Sequence, residues 1–451
     1  MTRKLLFIAA LALSASALAN PHEKTLANGL RIIVQEDRRA PTAVHMAWYR
    51  AGSMDEVDGT SGVAHVLEHM MFKGTKNLKP GEFSKRVAAA GGRDNAFTSR
   101  DYTAYFQQVP APRLGEMMAL EADRMANLVL DEKEFEQEIK VVMEERRLRT
   151  EDNPQGLVYE KLLAAAFQAH PYRRPIIGWM NDLENMTAAD ARDWYRRWYA
   201  PNNAYVIVVG DVNKDEVFRL AERHYGRIPR GALPGRKPQL EPTQVGIKRI
   251  EVKAPAKLPY LALAWKMPVL RDINKEREPY ALEMLAAVLD GHDAARFARN
   301  LVRGSKIAVS AGAGYDATVR GEALFFVSGT PAEGRSVADL EAALRAEIAR
   351  VASEGVSVQE LERVKIQTIA AQVYKRDSMM AQAMEIGRIE ATGIHWRDIN
   401  TLLEKIRSVS AEEVQAVAKK YFGDATLTVA VLDPQPLPEG APQKSAPTTR
   451  H

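Results

Sequence analysis

An internal duplication is the feature that most limits how this chain of 451 residues can fold. Segments 43–48 and 260–265 are both apolar, have the composition of strands and end in tryptophan. Thr187 opens a helix with a capping-box pattern before a second apolar strand, and Ser410 does the same in the other half of the chain. The offset between the two tryptophans nearly equals the offset between Thr187 and Ser410, so two homologous domains are expected.

The expected fold class is therefore α+β, with each domain a mixed or antiparallel sheet packed with helices. A stretch rich in Pro, Gly and Arg reads as the linker between the domains. The C-terminal segment, rich in Pro, Ser and Thr, is expected to be a disordered tail. In chain order the predicted parts are a signal peptide (1–19), a first domain (20–228), the linker (229–242), a second domain (243–433) and the tail (434–451).

Only the first half carries a motif with metal chemistry, the sequence His65-Val66-Leu67-Glu68-His69. On a helix, His65 and His69 lie one turn apart on the same face, so both imidazoles can reach one ion. Glu68 lies close to that face and can take a proton from a metal-activated water without being a ligand. This H-x-x-E-H pattern predicts two metal ligands and a general base, while two surface histidines on an amphipathic helix are the plainer alternative.

A catalytic zinc needs a third protein ligand, and segment 131–150 offers candidates. It has the pattern of a long charged helix with an apolar stripe. Its Glu138, Glu144 and Glu145 could each serve, and helical spacing alone does not choose among them.

The motif and the segment 138–145 resemble the pitrilysin/insulinase-type zinc metallopeptidases, which include bacterial periplasmic members and beta-type subunits of mitochondrial processing peptidase. The resemblance implies that Glu145 is the third ligand and that Glu138 orients the ligands from behind. Glu144 points elsewhere on the helix and is expected to be a solvated charge. His170 lies in another segment similar to the family and is expected to be structural.

A second resemblance concerns the segment that follows the motif. Residues 95–98 and the aromatic-rich stretch 101–105 are similar to the family's edge strand. In the family an extended peptide lies along this strand as an added strand. The residues to which this resemblance gives a substrate-binding role are Asn95, Ala96, Phe97 and Thr98. Without the family, residues 96–109 are simply an aromatic-rich strand or hairpin.

The second half has no H-x-x-E-H motif, and the resemblance implies that it closes over the substrate as part of a clamshell chamber, of which this chain forms half or the whole. Many family members hold the substrate backbone there with an arginine and a tyrosine, but Val302 and Val309 stand at the aligned positions. Arg303 is one place away, and Tyr315 is too far along. Either the alignment is shifted by one position and Arg303 fills the role of the arginine, or a homologous partner subunit supplies both the arginine and the tyrosine. The domain size favours a partner subunit.

The sequence thus predicts a zinc-dependent endopeptidase that holds one Zn²⁺ per chain and cleaves extended or unfolded peptides, with Glu68 as general base. A non-catalytic assembly or binding subunit is the main alternative. Such a subunit is expected to have a broken motif, whereas the motif of this chain is intact. Metal storage or transport is a weaker third possibility, because a built-in base suits hydrolysis better.

The N-terminal sequence predicts where the protein is located, and the composition indicates which kinds of partner it lacks. Two basic residues, an apolar run and an A-x-A site make residues 1–19 a secretory signal, and the resemblance to bacterial members suggests the periplasm. The chain has no cysteine. A net charge of +4 without a basic tract predicts no nucleic-acid partner, and no later segment is apolar enough to predict a stable membrane span.

Overall fold

The structure is a computed structural model that describes residues 21–437. The predicted signal peptide 1–19 and residues 438–451 of the predicted tail lie outside this range. Across the described range, no helix combines the length and apolar character needed to cross a bilayer.

The first half forms a six-stranded sheet in the order β1-β2-β6-β3-β5-β4. Its strands are β1 (His22–Thr25), β2 (Arg31–Glu36), β3 (Thr42–Tyr49), β4 (Arg93–Thr98), β5 (Thr103–Pro110) and β6 (Ala204–Gly210). The pair β2–β6 is parallel, and the other pairs are antiparallel. The run Ala-Tyr-Val-Ile-Val-Val-Gly of β6 is buried throughout, as expected for a strand covered on both faces. Because β4 has a neighbour on one side only, it is an edge strand.

Eight helices belong to the first half within the described range. They are α1 (Val63–Met70), α2 (Glu82–Ala89), α3 (Leu114–Asn127), α4 (Glu132–Arg146), α5 (Pro154–Ala166), α6 (Met180–Asn185), α7 (Ala188–Trp198) and α8 (Lys214–Tyr225). The predicted capping box at Thr187 is present at the start of α7. A π-helical turn, Arg147–Glu151, follows α4, so the helix predicted over 131–150 changes its winding near its end.

The second half begins after residues 226–247, which contain no helix or strand. Its sheet has the order β7-β11-β8-β10-β9. The strands are β7 (Lys248–Pro255), β8 (Tyr260–Met267), β9 (Ala308–Tyr315), β10 (Ala323–Pro331) and β11 (Leu427–Gln435), and the helices are α9 (Glu278–Asp290), α10 (Val337–Glu354), α11 (Val358–Lys375), α12 (Met379–Thr392), α13 (Ile399–Arg407) and α14 (Ala411–Tyr421). The predicted capping box at Ser410 opens α14.

Apart from β1, the two sheets have the same topology, which confirms the predicted α+β class with two homologous halves. In each, a parallel pair (β2–β6 or β7–β11) is followed by three antiparallel strands that end in an edge strand. The two tryptophans, however, are not equivalent. Trp48 faces away from the helices of its own half, whereas Trp265 packs against the helices of its own half. Since side chains alternate between the faces of a strand, the sequence match was wrong by one residue.

The two halves exchange one helix each: a helix from each half packs on the sheet of the other half. α5 packs on β7, β8 and β11 of the second sheet, and α12 packs on β3 and β6 of the first. Gly387 of α12 touches Trp48 so closely that a Cβ there would lie 2.2 Å from the indole ring. The halves therefore cannot separate without exposing an apolar face of both sheets.

One predicted boundary was wrong. β11 runs to Gln435, two residues into the segment 434–451 that was assigned to the tail. Its last residues pair in parallel with Ala254 and Pro255 of β7. This long-range pairing offsets the low strand propensity of Pro434.

Candidate active site

Helix α1 presents the H-x-x-E-H motif and is fixed at its start by a buried acid. The two carboxylate oxygens of Glu56 accept hydrogen bonds from the backbone N–H groups of Gly62 and Ala64, each at 2.9 Å. Gly62 has φ +89°, and a Cβ there would lie 2.5 Å from the carbonyl oxygen of Ile177. These contacts satisfy N–H groups that a helix start leaves free and set the position of the motif.

His65, His69 and Glu145 come together between α1 and α4. Nε2 of His65 and Nε2 of His69 each lie 3.5 Å from Oε2 of Glu145. Ligand atoms of the three residues all lie within 4.8 Å of one another. Glu144, the neighbour of Glu145, is exposed and pairs with Arg147.

The polar atoms of this group fit a metal ion. Oε2 of Glu145 is buried and has no hydrogen-bond partner, although it faces two imidazole nitrogens. Its other oxygen, Oε1, pairs with Arg149 at 2.5 Å. A buried carboxylate oxygen rarely stays unpaired, and two histidines with one carboxylate are the ligand set of many catalytic zinc sites.

Glu138 lies behind His69, on the side away from Glu145. Its Oε1 is 2.8 Å from Nδ1 of His69, and its Oε2 is 2.5 Å from Nζ of Lys73. The hydrogen bond with His69, followed by Lys73, lowers the pKa of Glu138 to about 2. Burial lowers the pKa of His69, but the carboxylates of Glu138 and Glu145 outweigh it and raise that pKa to about 9. This arrangement fixes the ring orientation of His69 with Nε2 toward Glu145.

Glu68 is held from the neighbouring edge strand. The hydroxyl of Thr98 donates a hydrogen bond of 2.6 Å to Oε2 of Glu68. Burial raises the pKa of Glu68, and the hydrogen bond from Thr98 opposes that shift. The carboxylate thus lies beside the His65, His69 and Glu145 group but outside it.

The outer edge of β4 offers backbone groups for pairing. The N–H of Ser99 bonds the carbonyl of Tyr102 at 2.8 Å, which makes this a hydrogen-bonded pair of the β4–β5 hairpin. Because such pairs alternate along an antiparallel ladder, the N–H and C=O groups of residues 94, 96 and 98 point away from β5. The N–H of Ala96 donates a hydrogen bond of 2.8 Å to the side-chain oxygen of Asn95.

A cavity of about 540 Å³ joins the motif to this edge. Its walls include His65, Glu68, His69, Glu145, Asn95, Ala96, Phe97, Thr98, Arg100, Arg149, Tyr159, Leu163 and Ile177. All four residues with a predicted substrate-binding role therefore border the same space as the motif. The ring of Phe97, however, packs mainly edge-on against Trp48.

Residues outside the cavity have structural contacts. His170 is buried and accepts a hydrogen bond from the backbone N–H of Tyr172. In the second half, Arg303 donates to the carbonyl of Asp293, and the hydroxyl of Tyr315 donates to the carbonyl of Pro268. Val309 is 56% exposed on edge strand β9.

Four contacts were not anticipated from the sequence. One had a visible signal: Arg149 follows Glu145 by the four-residue spacing that brings side chains together on a helix. The other three, Lys73 at Glu138, Glu56 at the start of α1 and the Thr98 hydroxyl at Glu68, join separate elements. No local pattern indicates them.

Comparison with known proteins gives the family of this chain. Residues 31–179 match the family described as Insulinase (Peptidase family M16), and residues 185–368 match the Peptidase M16 inactive domain. Zinc protease PqqE of Helicobacter pylori is 32% identical over 424 residues, which cover 92% of this chain and 93% of that protein.

Solved structures extend the agreement to the whole fold. A protease from Helicobacter pylori superposes with a TM-score of 0.87 at 30% identity, covering 92% of this chain and 100% of that one. The periplasmic protease PqqL from Escherichia coli has a TM-score of 0.79 at 20% identity, and this chain spans 48% of its length. The chain therefore belongs to the insulinase-type peptidase family M16.

Proposed function

We propose that the chain is a zinc-dependent endopeptidase that hydrolyses extended or unfolded peptides. The observation that carries this proposal is the convergence of His65, His69 and Glu145, with an unpaired buried carboxylate oxygen between two imidazoles. The name of the Helicobacter pylori relative, a zinc protease, supports the same class of reaction.

His65, His69 and Glu145 would hold one Zn²⁺, with Glu138 fixing the orientation of His69. When bound, zinc supplies a Lewis acid that polarises a carbonyl and lowers the pKa of a coordinated water. Glu68 would take the proton of the attacking water and pass it to the leaving amine. Oε1 of Glu68 suits this task, because among the described residues only Oε2 is engaged by a side-chain hydrogen bond.

The peptide would lie along the outer edge of β4. The outward backbone groups of residues 94, 96 and 98 can pair with any extended segment, so recognition would depend weakly on side chains. Folded proteins rarely offer a free extended segment. This supports unfolded or flexible peptides as the substrate class.

A homologous partner subunit would complete the chamber. Val302 and Val309 stand where an arginine and a tyrosine are expected, and Arg303 is engaged with the carbonyl of Asp293. The PqqL chain is about twice as long as the part this chain matches, which leaves room in that polypeptide for a second unit of this size. Native mass spectrometry of the chain purified from its own cells would detect the partner; a fully active monomer would refute it.

We also propose export to the periplasm after removal of residues 1–19. The basic start, apolar run and A-x-A site support this. N-terminal sequencing of the protein from cell fractions tests it: a mature chain beginning at Asn20 in the periplasmic fraction is expected, and full-length protein in the cytosol would contradict it.

Hydrolysis of a quenched fluorescent peptide library by the mature chain tests the activity. Cleavage should stop with a chelator, return with zinc and be absent from Glu68→Gln, which should still bind one zinc. Glu68→Gln with full activity would remove Glu68 from the mechanism. Zinc-loaded protein that cleaves nothing, alone or with co-purified partner, would favour a non-catalytic subunit.

A further inference from the structure

We propose that Thr98 is a positioning residue for Glu68, and that it ties the orientation of this base to the strand on which the peptide lies. The proposal rests on the function proposed above and changes the role of Thr98. The sequence placed Thr98 among the substrate-binding residues; its side chain instead serves the base.

The donor arrangement around Thr98 carries the proposal. A threonine hydroxyl has one proton to donate. Thr98 directs it to Oε2 of Glu68 at 2.6 Å. The neighbouring hydroxyl of Thr103 lies 3.5 Å from Thr98 but donates its own proton to the carbonyl of Ala51 at 3.0 Å. The Thr98 proton is therefore committed to Glu68.

Glu68 depends on this contact for its orientation. A glutamate has three rotatable side-chain bonds, and α1 fixes only where they start. Among the described residues, the bond from Thr98 is the one side-chain hydrogen bond that Glu68 makes. Losing it would let the carboxylate turn, and a misplacement of about 1 Å at a reacting group can cost on the order of 100-fold in rate.

The position of Thr98 on β4 adds the link to substrate. Residue 98 is opposite Thr103 in a pair that is not hydrogen-bonded, so its N–H and C=O face the free edge. Its side chain extends to α1. A peptide paired with the backbone of residue 98 would thus be held by the same residue that orients Glu68.

Three variants separate positioning from strand structure. Thr98→Val keeps the shape and strand propensity and removes the hydroxyl. Thr98→Ser restores a hydroxyl. Thr103→Val is the matched control, because it makes the same change on the opposite strand without touching Glu68.

For Thr98→Val we expect kcat to fall about 10- to 100-fold with KM nearly unchanged, since the backbone at residue 98 still pairs with peptide. Zinc content should stay at one per chain. Thr98→Ser should recover most of kcat, and Thr103→Val should keep kcat even if it melts earlier. A Thr98→Val enzyme with wild-type kcat, or an equal loss in Thr103→Val, would overturn the proposal.

Crystal structures of the zinc-loaded variants give a readout that does not need turnover. In Thr98→Val the Glu68 carboxylate should occupy more than one orientation, and in Thr98→Ser one. A single unchanged orientation in both would refute the positioning role. If the wild-type chain cleaves no peptide, the proposed function fails, while these structures still decide whether Thr98 fixes Glu68.

Discussion

The two halves of this chain build the same kind of cavity, and within residues 21–437 only one of them contains a candidate metal-ligand set. In the first half the cavity lies among β4, α1, α4 and the exchanged helix α5, with a volume of about 540 Å³. In the second half a cavity of about 690 Å³ lies among β9, α9, α11, α13 and the exchanged helix α12. Apart from α13, the two cavities are bordered by corresponding elements.

The side chains make the difference. α1 brings two histidines and a glutamate into its cavity, while α9 brings Tyr280 and Glu283. The rest of the second cavity is lined by apolar groups such as Leu270 and Met384 and by polar and charged ones such as Asp316 and Arg388. The duplicated framework provides a sheltered space beside an edge strand, and a few helix positions decide whether metal chemistry can occur there.

The largest expected effect separates the two cavities directly. His65→Ala removes one of the three proposed ligands and should reduce bound zinc from one per chain to near zero, with the peptidase activity lost together with the metal. Glu283→Ala, at the second cavity, should leave zinc content unchanged. Metal analysis after dialysis against a weak chelator measures both. Zinc at wild-type occupancy in His65→Ala would overturn the ligand assignment.

The duplication could be predicted from the sequence because capping boxes and apolar strands are local patterns. Thr187 and Ser410 do cap equivalent helices, and the strands that follow them are equivalent. The exchange of α5 and α12 between the halves could not be predicted from the sequence. An amphipathic pattern predicts that a helix covers a sheet, but not which of two similar sheets it covers.

The part of the candidate site that depends on spacing within one helix could be predicted from the sequence. His65, Glu68 and His69 share one helix, and the family resemblance added Glu145 from α4. Thr98 was found only as part of a strand, since its hydroxyl contact with Glu68 depends on how β4 and α1 pack. Contacts between separate elements are set by tertiary packing, which composition and periodicity do not report.

A smaller effect tests the surroundings of the first cavity. Lys73→Met removes the cation that holds Glu138 at 2.5 Å, so Glu138 should orient His69 less firmly. Outer contacts of this kind typically change metal affinity 10- to 100-fold, and we expect zinc affinity to fall within that range. Competition with a chromophoric chelator measures it. Lys73→Arg is the matched control and should bind zinc nearly as tightly as the wild type; equal weakening in both variants would contradict the charge-based explanation.

The smallest effect concerns the second cavity and pH. Burial, with Asp316 nearby, raises the pKa of Glu283 to about 8, far above the value of about 4.3 in an unfolded chain. Between these values the folded chain keeps a proton that the unfolded chain has lost, so Glu283 lowers the free energy of unfolding as pH rises toward 8.

Glu283→Gln removes that titration, because an amide resembles the neutral acid at every pH. The variant should match the wild type near pH 5 and exceed it by about 1 kcal/mol at pH 8, a modest value because the cavity admits water. Thermal unfolding at the two pH values measures the difference. A variant that is less stable than the wild type by the same amount at both pH values would contradict this, because a carboxylate stabilised in the folded chain would already be ionised at pH 5 and would stay so at pH 8.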